Sequence, residues 1–396
     1  MSFSATPIGD LVVKCGTWNP KKNGSDEFDY IDLSSVDKDA KAITEIERHK
    51  CDEAPSRARQ LVAENDVLVA TVRPNLNGVA LVRAEHHGMT ASTGYCVLRP
   101  IPEELDSRFL FNWVKTGVFV QRMVDVATGA NYPAVSDAKV KASTIPLPPL
   151  AEQKRIAGIL DAADALRAKR RESLAQLDTL LQSTFLHLFG DPVTNPMGWE
   201  VVPITEAVIG KYGIKAGPFG SALKKEDYVE SGYRVYGQEQ VIAGRFDIGD
   251  YYIDGPKFRK LENCAISSGD LLVSLVGSFG KVLIVPDGIE PGIINPRLLK
   301  ITPRRELVTS LYLATFIQNE ATQRKLQSMS HGGTMGILNA SLLKQLTVPI
   351  PPLDLQRRFA AIVESVERQK AHQRAHLAEL DTLFASLQHR AFEGEL

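Results

Sequence analysis

The chain of 396 residues contains one long internal repeat. The segment Ile145-Pro-Leu-Pro-Pro-Leu-Ala-Glu-Gln-Lys-Arg155 returns, at an offset of 203 residues, as Val348-Pro-Ile-Pro-Pro-Leu-Asp-Leu-Gln-Arg-Arg358. Residues 145–189 align with residues 348–392 without a gap and share about 18 identities in 45 positions. A repeat of this length indicates a duplication, so the chain must fold as two copies of one structural plan.

Each copy opens with a proline cluster, which favours extended backbone, and continues as a predicted helix. Apolar residues then recur at alternating spacings of four and three, which is the a/d pattern of a coiled coil. About 40 helical residues would form a rod of roughly 60 Å. The predicted seam comprises Ile156, Leu160, Leu174, Leu177 and Leu181 in the first copy, and Phe359, Val363, Leu377, Leu380 and Phe384 in the second.

Both seams are polar in the middle, at Arg167 and Arg170 in the first copy and at Lys370 and Gln373 in the second. Two antiparallel helices related by a two-fold axis place their midpoints opposite each other, so these residues would meet and fix the register. Alternatively, the long cationic side chains simply extend to solvent from a loosely packed centre. The sequence leaves both interpretations open.

Two large blocks without close repetition lie before the helices. Short β-rich runs such as 66–72 and 270–276 are bounded by Gly, Pro and Asn, and helical stretches such as 311–317 follow them. This mixture predicts α+β domains. We therefore predict two globular domains separated by two long antiparallel coiled-coil helices, in a pseudo-two-fold internal repeat. The predicted segments are a first block over 1–144, a helical spacer over 145–190, a second block over 191–347 and a helical spacer over 348–396, and each spacer opens with its extended proline cluster.

Composition limits the possible partners and compartment. With 46 Lys+Arg against 47 Asp+Glu, the formal net charge is -1, so any contact with nucleic acid must come from local patches or from a basic partner. The four cysteines form no C-x-x-C pair, which argues against a zinc knuckle or a disulfide scaffold. The sequence has neither a signal-peptide pattern nor an apolar run of membrane-helix length, so we expect a cytoplasmic protein with no membrane partner.

The order of block, helix, block and helix resembles the specificity (S) subunits of Type I restriction-modification systems. The most specific elements are the two copies of Pro-x-Pro-Pro-Leu-x-x-Gln, at 146–153 and 349–356, each of which closes a block and opens a heptad helix. Phrases within the blocks also resemble the target-recognition domains of this family. They are Tyr30-Ile-Asp-Leu-Ser-Ser35, Ser56-Arg-Ala58, Asp66-Val-Leu-Val69, Arg73-Pro-Asn75, Gly217-Pro-Phe-Gly-Ser221, Gly269-Asp-Leu-Leu-Val273 and Asn295-Pro-Arg297.

The resemblance implies a non-catalytic subunit in which residues 1–144 and 191–347 are target-recognition domains. Each would read one half of an asymmetric, interrupted site in double-stranded DNA. The helical spacers, 145–190 and 348–396, would set the gap and dock two methyltransferase (M) subunits and, through this M2S complex, motor-nuclease (R) subunits, which directs adenine methylation or restriction. It implies no cofactor in this chain. S-adenosylmethionine, and ATP and Mg for restriction, would bind in the partner subunits.

Motifs for catalysis are missing from the sequence. None of the three Asn-Pro pairs is followed by the Pro-aromatic pair of an amino-methyltransferase, and Gly277-Ser-Phe-Gly-Lys281 fails the phosphate-loop pattern at both ends. His372 and His376 share a helix face but lack a third ligand, so we predict neither catalytic nor metal-binding residues. The alternatives are a stand-alone DNA methyltransferase or endonuclease, which needs the missing motifs, and a protein-only coiled-coil adaptor, which leaves the two β-rich blocks unexplained.

Candidate DNA contacts are polar or cationic residues in turns, since phosphates are bound by Lys and Arg and bases are read by Arg, Asn, Ser and Thr. Each of these turns, taken alone, is also compatible with an ordinary solvated loop. The candidates are Arg73, Asn75, Asn77 and Asn131 in the first block and Ser221, Lys224, Lys225, Ser278, Lys281, Arg297 and Thr334 in the second.

Overall fold

A computed structural model describes residues 3–24, 26–129, 131–275, 280–329 and 340–396. The chain divides into two compact units. Unit 1 consists of Met1–Ser173 with Gln373–Leu396, and unit 2 consists of Leu174–His372. Each unit therefore combines one globular block with a segment of each long helix.

The first block consists of short strands and short helices that lead into the first long helix. The strands are β1 (Ser4–Pro7), β2 (Val12–Val13), β3 (Gly16–Thr17), β4 (Glu27–Ile31), β5 (Val36–Asp37), β6 (Ala42–Ile43), β7 (Glu47–Lys50), β8 (Ala58–Leu61), β9 (Val67–Ala70), β10 (Val79–Leu81), β11 (Thr90–Ser92), β12 (Tyr95–Pro100) and β13 (Thr144–Leu147). The helices are α1 (Pro20–Asn23), α2 (Ser107–Val114), α3 (Gly117–Val126), α4 (Asp137–Ala142) and the long α5 (Leu150–Phe189).

The second block follows the same plan and leads into the second long helix. Its strands are β14 (Glu200–Pro203), β15 (Ile214–Ala216), β16 (Tyr228–Val229), β17 (Tyr233–Tyr236), β18 (Tyr252–Ile253), β19 (Leu271–Ser274), β20 (Val282–Ile284), β21 (Gly292–Ile294), β22 (Leu298–Ile301) and β23 (Thr347–Ile350). Its helices are α6 (Gln238–Ala243), α7 (Gly255–Lys260), α8 (Ser310–Gln318), α9 (Glu320–Met329), α10 (Ala340–Leu343) and the long α11 (Leu353–Glu393).

The two blocks share their sheet topology. The first contains a sheet in the order β10-β9-β12-β2, and the second contains the corresponding order β20-β19-β22-β15. Each block also contains a second sheet with one parallel pair of strands. In the first block its order is β3-β8-β11-β4-β7, and β4 is parallel to β11. In the second block its order is β16-β18-β17-β21, and β17 is parallel to β21. The blocks therefore carry one fold twice, although their sequences resemble each other only weakly.

The central strands β9 and β19 read as continuous apolar runs because both of their faces are buried. Val67 and Val69 join the core that contains the long helices, while Leu68 faces the core beneath the other sheet. Leu271 and Val273 repeat this arrangement, with Leu272 on the opposite face. Alternation along a strand thus explains why the first three positions of each strand, 67–69 and 271–273, are all apolar.

The ends of the long helices belong to the cores of the blocks. In unit 1, Ile156 and Leu160 of α5 and Phe384 of α11 are buried with side chains of the first block. In unit 2, Phe359 of α11 and Phe185 of α5 are buried in the core of the second block. The remaining predicted seam residues are half-buried, and they are Leu174, Leu177, Leu181, Val363, Leu377 and Leu380.

In unit 1 the two long helices pair antiparallel through polar side chains. Arg167 lies between Asp164 at 2.7 Å and Asp381 at 2.6 Å, and we name these residues the first ion triad. One turn further along α5, Arg170 donates a hydrogen bond to the side chain of Gln373. The Arg167 side chain is 18% exposed, which fits a register-setting layer better than a cation extended into solvent.

Unit 2 contains an equivalent second ion triad. The Lys370 ammonium lies 2.7 Å from Asp178 and 2.5 Å from Glu367, and its side chain is only 7% exposed. Lys370, Asp178 and Glu367 correspond to Arg167, Asp381 and Asp164 at the offset of 203 residues. The duplication has therefore preserved an ion pair between the helices, and not only their apolar seam.

The last residue of each Pro-x-Pro-Pro-Leu-x-x-Gln motif is a buried glutamine, Gln153 or Gln356. Its side-chain amide makes three backbone hydrogen bonds of 2.8–3.0 Å, one of them from the N-cap residue of α2 or α8. The partners are Asp106 N–H, Glu104 O and Pro148 O for Gln153, and Thr309 N–H, Leu307 O and Pro351 O for Gln356. The motif thus fastens each long helix to its own block.

Gln153→Leu should lower the free energy of unfolding by about 2 kcal/mol, because it removes a buried hydrogen bond to the Pro148 carbonyl and two partly buried ones to the Asp106 N–H and the Glu104 carbonyl. Urea unfolding of the whole chain, followed by far-UV circular dichroism, measures the loss. Gln182→Leu, at an exposed position of the same helix, is the matched control and should change stability little. Equal effects of the two substitutions would contradict this role for Gln153.

Candidate nucleic-acid interface

One edge of the four-stranded sheet in each block carries predicted DNA-contact residues. In the first block, β9 ends and β10 and β12 begin at this edge, because β9 is antiparallel to both neighbours. In the second block, β15 and β19 end and β20 and β22 begin at the corresponding edge. The predicted residues in turns at this edge are Arg73, Asn75, Asn77, Lys281 and Arg297.

The turn between β9 and β10 has a tightly held backbone. Arg73 and Asn77 both adopt the left-handed conformation, with φ of 50° and 46°. The Lys41 ammonium donates to the Asn77 carbonyl at 2.7 Å, and burial lowers the pKa of Lys41. The Asn77 side chain donates to the Lys115 carbonyl at 3.4 Å. Asn77 therefore shapes the turn, whereas the side chains of Arg73 and Asn75 are exposed.

The structure brings a second predicted loop against this turn. Ala134 forms antiparallel β-bridges with both Val72 and Thr128, which places Thr128 and Ala134 beside the turn. The Arg73 N–H donates to the Pro133 carbonyl at 2.7 Å. Arg73 and Asn131, which lie 58 positions apart in the sequence, thus belong to one exposed surface.

Tyr132 is a member of this surface that the sequence analysis missed. Its ring is 68% exposed, and the Arg73 guanidinium lies 5.1 Å from the ring centroid. The available signal was an aromatic residue directly after Asn131, which is itself a predicted DNA contact. An exposed aromatic ring next to a cation is typical of surfaces that bind nucleic acid.

In the second block, two turns meet at the sheet edge. Gly217 packs so closely on Asn295 that a Cβ atom at Gly217 would overlap the Asn295 carbonyl. The Arg297 N–H donates to the Asn295 side chain at 2.9 Å, which fixes the turn before β22. The side chains of Arg297 and Lys281 are both exposed, and their carbonyls accept hydrogen bonds from the backbone at the end of β19.

Ser221, Lys224 and Lys225 lie just beyond β15 and are exposed. Asp227 forms an ion pair with Lys257 at 2.8 Å and accepts a hydrogen bond from the Lys224 N–H at 2.7 Å, and these interactions lower its pKa. In the described part of the chain, no carboxylate forms an ion pair with Lys224 or Lys225, so both can contact phosphates. The predicted residues Ser278 and Thr334 lie outside the described residues.

The other motifs noted in the sequence are the histidine pair on α11 and the four cysteines. His376 Nδ1 lies 2.8 Å from the Arg170 guanidinium, and His372 is exposed. The cysteines of the described ranges are free thiols, and burial raises the pKa of Cys96 to about 12. Among the described residues, no three His, Cys, Asp or Glu side chains lie close enough to hold a metal ion. Within the same residues, no helix is both long enough and apolar enough to cross a membrane.

Comparison with known families gives two matches along the chain. The family model of the Type I restriction modification DNA specificity domain matches residues 7–177 and again residues 196–382, together about nine-tenths of the sequence. The chain belongs to this family. It is a DNA-recognition subunit, and the family membership implies a non-catalytic role.

Individual relatives agree with this assignment. The Type I restriction enzyme MjaVIII specificity subunit of Methanocaldococcus jannaschii is 24% identical over 324 residues, which cover 78% of this chain and 73% of that one. The EcoBI specificity subunit of Escherichia coli is 26% identical over 289 residues, 66% of this chain and 60% of the relative. A chain from a structural study of complex assembly and conformational transition of the type I R-M system matches with a TM-score of 0.64 and 24% identity, covering 100% of this chain and 98% of that one. This likeness shows that the two chains share a fold.

Proposed function

We propose that each block of this specificity subunit reads one half of an asymmetric, interrupted site in double-stranded DNA, and that the long helices set the gap between the halves. One observation carries the proposal: each block has a four-stranded sheet of the same topology, and exposed cations lie at the corresponding edge of both sheets. The sheets match while the turns differ in sequence. Two domains that share a fold but differ in their contact residues are suited to binding two different half-sites.

We further propose that the helices dock two M subunits, and that R subunits join through the M2S complex. The duplicated helices support two equivalent docking positions. S-adenosylmethionine, and ATP and Mg for restriction, would bind in these partner subunits, which would carry out adenine methylation or cleavage. The complex would act in the cytoplasm, where bacterial and archaeal DNA is found.

A genome-wide map of methylated adenines tests the proposal. Cells that express the cognate M subunit with this chain should show one bipartite motif with a fixed unspecified gap. Cells that express the M subunit alone should lack that motif, because the sequence reader is absent. Unchanged methylation in the presence of an active M subunit would overturn the proposal and favour a protein-only adaptor.

A further inference from the structure

We propose that Arg73 and Tyr132 form the base-reading pair of the first block, in which Tyr132 positions the Arg73 guanidinium to read the major-groove edge of a guanine. This inference rests on the proposed function, because it assigns a specific contact within that DNA interface. Arg73 donates to the base and Tyr132 is a positioning residue.

The first observation is the backbone of Arg73. A left-handed conformation at a residue with a side chain costs free energy and persists only where the surroundings impose it. Here the N–H of Arg73 is bound to the Pro133 carbonyl at 2.7 Å, and Pro74 follows directly. The strained backbone fixes the direction in which the Arg73 side chain leaves the turn.

The second observation is the exposure of Tyr132. At 68%, it is the most exposed large hydrophobic side chain among the described residues. The loop that carries it is fixed by the bridges from Ala134 to Val72 and Thr128. Gly129 makes this possible, since its φ is 104° and a Cβ there would lie 2.8 Å from the Tyr132 carbonyl. A well-fixed loop thus holds an aromatic ring in solvent, where it has apolar surface to offer a ligand.

The third observation is the state of the guanidinium. It lies 5.1 Å from the Tyr132 ring centroid, within the range of a cation–π contact. Within the described ranges, no carboxylate forms an ion pair with Arg73, so its N–H groups are available to a ligand. A planar guanidinium of fixed orientation matches guanine O6 and N7, which accept two hydrogen bonds from one arginine. Asn75 and Asn131, which lie close to Arg73 and Tyr132 in the sequence, are exposed and offer amides that suit neighbouring bases.

The test uses Arg73→Lys in the full chain bound to its M subunit, because lysine keeps the charge but loses the planar fork. A duplex library randomised over both half-sites is methylated and sequenced. We expect the preference for guanine at one base pair of one half-site to fall roughly tenfold to a hundredfold, while the other half-site is unchanged. Arg83→Ala, which removes an exposed arginine beyond the opposite end of β10, is the matched control and should keep the wild-type motif.

Two substitutions test the role of Tyr132. Tyr132→Ala should weaken the preference at the same base pair, and Tyr132→Phe should retain it, because only the ring is needed for the cation–π contact with Arg73. A uniform decrease of methylation across all sequences with Arg73→Lys would overturn the inference, since it would identify a phosphate contact. An unchanged motif with Arg73→Lys would overturn it as well and leave the proposed function intact. Failure of the proposed function itself would be recognised separately, by the absence of a bipartite motif with the wild-type chain.

Discussion

A chain that carries the second block twice should direct methylation to a site with two identical half-sites. In this duplicated-block chain, residues 191–347 replace residues 1–144, while both long helices stay as they are. The wild-type motif should disappear completely, because nothing remains to read the first half-site. The same map of methylated adenines measures the result.

The structure indicates that the duplicated-block chain can pack. In unit 1, Phe392 of α11 lies 5.2 Å from Phe109 between ring centroids. In unit 2, Phe189 of α5 lies 4.9 Å from Tyr312, and these two residues correspond to Phe392 and Phe109 at the offset of 203. The transferred block thus brings a matching aromatic partner for Phe392. It also brings Thr309, whose N–H can bond to Gln153 as it does to Gln356.

The reciprocal chain, with the first block in both positions, is the control. It should give a site with two copies of the other half, so that the two chains together assign each half-site to its block. Thermal melting and binding to the M subunit establish that both chains are folded. A folded duplicated-block chain that kept both wild-type half-sites would show that the blocks do not carry the sequence specificity.

Much of the helical framework could be predicted from local pattern. The proline clusters and the a/d spacing predicted two long helices, and the structure places them at Leu150–Phe189 and Leu353–Glu393. The exact buried positions near the end of α5 were harder to predict. Thr184 and Leu188 continue the heptad spacing but are half-buried, whereas Phe185 and Phe189 are buried. A straight helix drifts relative to a seven-residue repeat, and here the core of the second block selects the face.

The DNA-contact surface was less predictable, because it depends on contacts between distant segments. The types of residue in the turns were readable from sequence, but the bridges from Ala134 to Val72 and Thr128 were not. Those bridges place Tyr132 beside Arg73. Likewise, the fixing role of Asn77 follows from its bonds to Lys41 and Lys115, which no local pattern specifies.

Lys370→Glu should be among the most destabilising single substitutions in the helical framework, with a loss of roughly 3 kcal/mol in the free energy of unfolding. The substitution removes the only cation of the second ion triad and places a third carboxylate next to Asp178 and Glu367. Position 370 is buried, so a carboxylate placed there loses its hydration. The repulsion from Asp178 and Glu367 adds to this cost, although water screens part of it because their side chains are 62% and 45% exposed. Urea unfolding of the full chain, followed by far-UV circular dichroism, measures the loss.

A charge exchange separates the ion pair from the general cost of a new side chain. Asp178→Lys combined with Lys370→Glu restores an attraction across the helices and should recover part of the loss, and the double-mutant cycle gives the coupling free energy. Lys169→Glu reverses an exposed lysine on α5 and should change stability by less than about 0.5 kcal/mol. If the double variant were as unstable as the sum of its single substitutions, the triad would not be coupled across the helices. Recovery would instead show that the second ion triad couples the two long helices, whose register would set the gap between half-sites in the proposed function.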